Sequence, residues 1–199
     1  MLRMAFSPIS PSGSHQVCIT LIGMAGAGKS TVGRQLARLL DWKLMDTDQL
    51  IESVYGVPLQ DITDALGKDA FLDVEATVIC AIRAHRVVLA TGGSVVYREK
   101  AMAHLRSLGP IAYLDVPLPV ILERIARNPL RGLAIAPGQS VEDLFREREA
   151  LYTRYADCTI DAGRLLPDAC AKAILKRMKA NPLLANSRPS TATHPRRTA

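Results

Sequence analysis

The sequence predicts an α/β fold of three layers, a parallel sheet with helices on both faces and a phosphate-binding loop at the end of its first strand. Three observations point there: a glycine-rich loop between an apolar run and a helical pattern, further short apolar runs of strand length, and helical periodicity between those runs. Strands buried on both faces read as continuous apolar stretches rather than alternating ones, and Val87-Val88-Leu89-Ala90 and Ile111-Ala112-Tyr113-Leu114 have that character.

The first strand and helix occupy about residues 17–40. Cys18-Ile19-Thr20-Leu21-Ile22 is apolar and β-branched, Gly23-Met24-Ala25-Gly26-Ala27-Gly28 turns, and Lys29-Ser30-Thr31 opens a helix carrying Val32, Leu36, Leu39 and Leu40. This is the G-x-x-x-x-G-K-[ST] pattern in its strand-loop-helix context. Glycines let main-chain amides close around a phosphate, the helix N-terminus adds partial positive charge, and Lys29 adds a full one. Ser30 offers a hydroxyl to Mg²⁺.

A second strand, Trp42-Lys43-Leu44-Met45, stops at Asp46-Thr47-Asp48, where Thr47 or Asp48 is expected to cap a helix over 49–54. Gly56-Val57-Pro58 breaks that helix, and a longer helical pattern runs to about 83, interrupted near Gly67. The third strand, 87–90, ends at Thr91-Gly92-Gly93-Ser94. A helix over 98–108, a strand over 111–114 and a helix over 118–127 follow. Residues 128–139 have breakers at both ends and no clean period, the pattern of a lid. A helix over 140–156, a strand over 158–160 and a helix over 165–179 complete the chain's regular elements.

The expected organisation is a disordered leader over 1–15, one phosphate-loop domain over 16–179 and a disordered basic tail over 180–199. The formal net charge is +6, but Arg3, Arg188, Arg196 and Arg197 lie in acid-free ends, which leaves +2 for the middle. That distribution excludes a basic stripe on the core and suits a small anionic ligand, so no nucleic-acid partner is expected. Cys18, Cys80, Cys158 and Cys170 form no C-x-x-C pair and read as reduced, buried thiols of a cytoplasmic protein. No apolar run is long enough to span a membrane.

Ligands of open parallel sheets bind at the carboxyl ends of the strands, and three such ends carry chemistry here. Beside the loop stands Asp46, placed to hold Mg²⁺ through water. Asp48 is placed to accept a proton from a hydroxyl attacking a γ-phosphate; the alternative for both is a helix cap. Gly92 and Gly93 leave bare backbone where a ligand can approach, or form a plain turn. In the helix over 140–156, Arg148 falls on the apolar stripe of Val141, Leu144, Leu151 and Tyr155, and an inward guanidinium requires an anionic partner.

With these residues in place, the chain from about 17 to 179 resembles the shikimate kinase family. The resemblance implies a five-stranded parallel sheet of order 2-3-1-4-5 with a lid, a monomer, ATP and Mg²⁺ as cofactors, and phosphorylation of shikimate to shikimate 3-phosphate in aromatic amino acid biosynthesis. Gly23, Gly26, Ala27, Gly28, Lys29, Ser30 and Thr31 match the family's ATP loop. Asp46-Thr47-Asp48 matches its D-T-D, whose first aspartate serves Mg²⁺ and whose second serves substrate hydroxyls. Thr91-Gly92-Gly93 falls on its triple glycine, where Gly93 contacts substrate. Arg124 falls on an arginine stacked on adenine, Arg131 on a lid arginine reaching the phosphates, and Arg148 on an arginine holding the substrate carboxylate.

Two positions depart from the pattern. The family's F-R-x-x-E reads Phe71-Leu72-Asp73-Val74-Glu75, so the arginine that makes a second contact to the carboxylate is Leu72. The third glycine is Ser94. Either another cation replaces the arginine, or the acceptor is a different hydroxyl compound such as homoserine or a sugar acid such as gluconate. Two further alternatives are a nucleotide-dependent switch or nucleic-acid-associated ATPase using the basic tail, and a nucleoside monophosphate kinase. The first lacks N-K-x-D and a basic stripe; the second needs more arginines around the acceptor than the sequence supplies.

Overall fold

Short β-branched and apolar runs form the central sheet because, buried on both faces, they need no polar alternation. The computed structural model describes residues 17–127, 133–136 and 138–179. Its strands are β1 (Ile19–Ile22), β2 (Lys43–Asp46), β3 (Val87–Ala90), β4 (Ile111–Asp115) and β5 (Cys158–Asp161), all parallel and ordered β2-β3-β1-β4-β5. Every residue of β1 is buried, whereas the edge strands β2 and β5 are largely half-buried or exposed. The sheet order expected from the family resemblance is the observed one.

The helices are α1 (Lys29–Leu40), α2 (Thr47–Tyr55), α3 (Leu59–Leu66), α4 (Lys68–Ala81), α5 (Glu99–Leu108), α6 (Leu118–Ala126), α7 (Val141–Tyr155) and α8 (Pro167–Lys179). A 3₁₀ turn over Val95–Tyr97, unanticipated from the sequence, links β3 to α5. The main core joins β1, β3 and β4 to the inward faces of α1, α5 and α8. A smaller apolar cluster of Ile51, Leu59, Ile62, Phe71, Leu72 and Ala134 lies under α2, α3 and α4. Gly67, at φ 73°, separates α3 from α4 as the sequence suggests.

Two local expectations are corrected. Asp46, for which a helix cap is the alternative reading, caps α2 in place of Thr47 or Asp48: it is the last residue of β2, extended at φ −95° and ψ 118°, and its carboxylate accepts from the amides of Asp48 and Gln49 at 3.1 and 3.4 Å. An extended residue can aim its side chain back at the first helical amides, which a residue already inside the helix cannot. The cysteines divide: Cys18 and Cys170 are buried but Cys80 and Cys158 only half so, and all four are free thiols. The expected leader and tail lie outside the described residues, as do residues 128–132 and 137 of the expected lid. Among the described residues no helix is long and apolar enough to cross a membrane.

Candidate active site

β1 has β3 and β4 as its neighbours, so the order of connection reverses at its carboxyl end, the place where an open sheet leaves a crevice. The loop that follows turns on Gly23, Gly26 and Gly28, at φ 143°, 82° and 93°, a region of backbone space that side chains disfavour. No side chain caps the N-terminus of α1, so its first amides are left for an anion. Lys29 is 8% exposed, and its Nζ donates to the carbonyls of Gly23 and Met24 at 2.7 and 2.8 Å, lying across the loop.

The end of β2 joins this loop through one contact: Ser30 Oγ donates to Asp46 Oδ2 at 2.5 Å. Asp46 thus caps α2 with one oxygen and meets the loop's hydroxyl with the other. These are hard oxygen donors beside a phosphate-binding loop, which suits Mg²⁺. Among the described residues no cluster of three or more His, Cys, Asp or Glu side chains is placed to hold a metal ion. Magnesium at this pair would therefore need phosphate oxygens and water to complete its shell.

The end of β3 brings two carboxyl groups to the same place. Thr91 fixes the strand end by donating twice to the Leu21 carbonyl, from its amide at 3.2 Å and its hydroxyl at 3.0 Å. The Gly92 amide donates to Thr47 Oγ1 at 3.2 Å, tying this loop to the start of α2. A β-carbon at residue 92 would stand 2.4 Å from Glu75 Oε1 and 2.6 Å from Asp48 Oδ1, so a side chain there would force these carboxyl groups to shift. Glu75 is 1% exposed; Ser94 Oγ donates to its Oε2 at 2.8 Å, while its Oε1 is buried without a hydrogen-bond partner. Burial, reinforced by the neighbouring Asp48 charge, pushes the Glu75 carboxyl up to about 8. The shift favours the neutral form of Glu75 beside Asp48.

Gly92→Ala is expected to lower kcat at least about tenfold, since displacing an aligned proton acceptor by a fraction of an ångström is costly. Because the atoms in the way end flexible side chains, the melting temperature should fall by only a few degrees, and both are read on one purified variant. Unchanged kcat would mean that the position of Asp48 is immaterial.

α7 supplies the fourth component. Its buried residues are Leu144, Phe145, Arg148 and Tyr152, so Arg148, 1% exposed, sits at the centre of the inward face, with Leu151 and Tyr155 at its half-buried margins. Among the described residues no carboxylate forms an ion pair with Arg148: its Nη2 donates to the Ala134 carbonyl at 2.8 Å and its Nε to Tyr97 Oη at 3.3 Å. A β-carbon at residue 93 would meet Arg148 Nη1 at 3.1 Å and the Ala25 amide nitrogen at 3.2 Å, so bare Gly93 backbone lies between the phosphate loop and this guanidinium.

Four side chains of the site were given no role from the sequence, although Ser94 and Glu75 stand in the motifs quoted there. Tyr152 Oη donates to the Gly93 carbonyl at 2.6 Å, and its ring stacks on Tyr113 at 5.2 Å. Tyr97 supports Arg148, and Ser94 and Glu75 bond to each other. Tyr152 had a signal, standing four residues after Arg148 and so on the same helical face.

Arg124, on α6, donates from Nη1 to the Gly26 carbonyl at 2.9 Å and thereby borders the loop. Arg131 lies outside the described residues. One cavity of about 540 Å³ is lined by the phosphate loop, Asp48, Gly92, Gly93, Arg124 and Arg148 together, the size of a small-molecule site.

Comparison with known proteins agrees with this fold. The family model described as shikimate kinase matches residues 25–179. A shikimate kinase of Nitratidesulfovibrio vulgaris is 40% identical over 152 residues, covering 72% of this chain and 86% of its own length. One from Sulfurihydrogenibium sp. is 35% identical over 162 residues, covering 81% and 97%. Among solved structures, the shikimate kinase of Acinetobacter baumannii in complex with shikimate superposes with a TM-score of 0.76 at 32% identity, covering 84% of this chain and 96% of that one. The Aquifex aeolicus enzyme gives 0.70 at 31% identity, covering 83% and 98%. On sequence and on fold together, the chain belongs to the shikimate kinase family.

Proposed function

We propose that this protein transfers the γ-phosphoryl group of ATP to a hydroxyl of shikimate, giving shikimate 3-phosphate and ADP. The observation that carries the reading is the convergence of the phosphate loop, Asp48, Gly92–Gly93 and Arg148 on one cavity.

In this reading the loop amides and Lys29 hold the β- and γ-phosphates, and Arg124 borders the adenosine end. Ser30 and Asp46 would hold Mg²⁺, which when bound neutralises charge on the phosphates. Arg148 and the bare backbone of Gly93 hold the acceptor so that one hydroxyl faces both Asp48 and the γ-phosphorus. Asp48 orients that hydroxyl and takes its proton as the oxygen bonds to phosphorus; the bond from phosphorus to the bridging oxygen breaks, and its electron pair leaves with ADP. Glu75, neutral and held by Ser94, keeps a second negative charge from forming next to this base. Arg131 and the surrounding segment, about 128–139, would close over the phosphates, neutralise charge on the transferring group and exclude water.

Leu72 favours a second reading, a kinase of the same fold acting on homoserine or gluconate, for which one arginine suffices. A coupled ADP-release assay over shikimate, homoserine, gluconate and nucleoside monophosphates separates them. Saturable turnover on shikimate alone is the expected result; silence on shikimate with turnover on another acceptor would overturn the assignment and make Leu72 the reason.

A further inference from the structure

We propose that Lys68 supplies the second positive charge that holds the acceptor's carboxylate, in place of the arginine that is Leu72 in this chain. The inference rests on shikimate being the acceptor.

Leu72 is 2% exposed and packs in the small apolar cluster with Leu59, Phe71 and Ala134; Tyr97 rests against that cluster. Arg148 is fastened into the same neighbourhood by the Ala134 carbonyl and the Tyr97 hydroxyl, and its Cζ lies 5.2 Å from the centroid of the Tyr97 ring. Lys68 stands four residues before Leu72, hence one turn away on the same side of α4. Its Nζ lies 5.0 Å from the centroid of that same ring. One aromatic ring thus gathers both cations, each held by attraction to its π face.

The other charges nearby have partners of their own. Arg98 is bound by Asp69 and Asp73, so it is not the replacement. Glu147 accepts from Gln139 Nε2 at 2.7 Å and also meets the Tyr97 hydroxyl, but no carboxylate among the described residues forms an ion pair with Lys68 or Arg148. Two cations collected on one ring without a carboxylate partner repel each other, and a bound carboxylate relieves that repulsion. Lys68 is only half-buried, so its flexible four-carbon stem can carry the ammonium toward such a ligand.

The test compares shikimate with its methyl ester, which keeps the hydroxyls and lacks the negative charge. In Lys68→Met the KM for shikimate is expected to rise roughly five- to tenfold, the scale of a partly screened charge-assisted contact, with kcat and the KM for ATP within about twofold. The KM for the ester should not change, and Lys68→Met/Leu72→Arg should recover shikimate affinity. An unchanged KM for shikimate in Lys68→Met, or an equal loss for shikimate and ester, would overturn the role of Lys68. Failure of the unaltered protein to use shikimate would strike the acceptor assignment itself, a result separate from either.

Discussion

Lys29→Ala is expected to lower kcat about a thousandfold or more and to weaken ATP binding as well. Lys29 brings a full positive charge to a loop whose other anion-binding groups are main-chain dipoles, and at 8% exposure that charge acts where water screens it little. Charge moves onto the bridging and terminal phosphate oxygens as the phosphoryl group leaves, so a cation fixed there stabilises the transition state more than the bound substrate. Removing one such preorganised donor costs on the order of a hundred- to a thousandfold, and a charged one costs more than a neutral one. The ammonium also spans the Gly23 and Met24 carbonyls, so its loss should loosen the empty loop and lower the melting temperature slightly. Steady-state rates at saturating ATP give the first quantity; undiminished turnover would remove the phosphate loop from the mechanism.

Asp48→Asn is the second large effect. Asparagine has nearly the same shape but cannot take a proton, and general-base contributions run from about a hundredfold to ten thousandfold. The expected outcome is a kcat loss in that range with ATP affinity retained, since nucleotide binding is assigned to the loop, Lys29 and Arg124. Measured together, kcat and the ATP dissociation constant separate this from a structural role, which would appear as lost nucleotide affinity.

The features legible in the sequence are those fixed by local rules. The phosphate loop needs glycines at set positions because of its backbone angles. The apolar runs of β1, β3 and β4 are long enough only for strands. Arg148 betrays itself by falling among apolar residues at helical spacing. Asp46 was legible as a candidate metal ligand but misplaced in the secondary structure, because a strand residue can cap the helix that follows it.

What stayed hidden depends on contacts between distant segments. Ser94 and Glu75 are 19 residues apart and meet only once α4 packs beside the β3 loop. Tyr152 reaches the Gly93 carbonyl across 59 residues, and no pattern of side chains advertises a main-chain acceptor. The gathering of Lys68 and Arg148 on Tyr97 likewise needs the unanticipated 3₁₀ turn that sets the ring between α4 and α7.

The most direct measurement is calorimetric titration of the intact protein with ATP in the presence of Mg²⁺. One ATP bound per chain, with the heat abolished in Lys29→Ala, is the expected result. An intact, folded protein that takes up no ATP under these conditions would contradict a phosphate cradle at the end of β1, and with it every role assigned around that cradle.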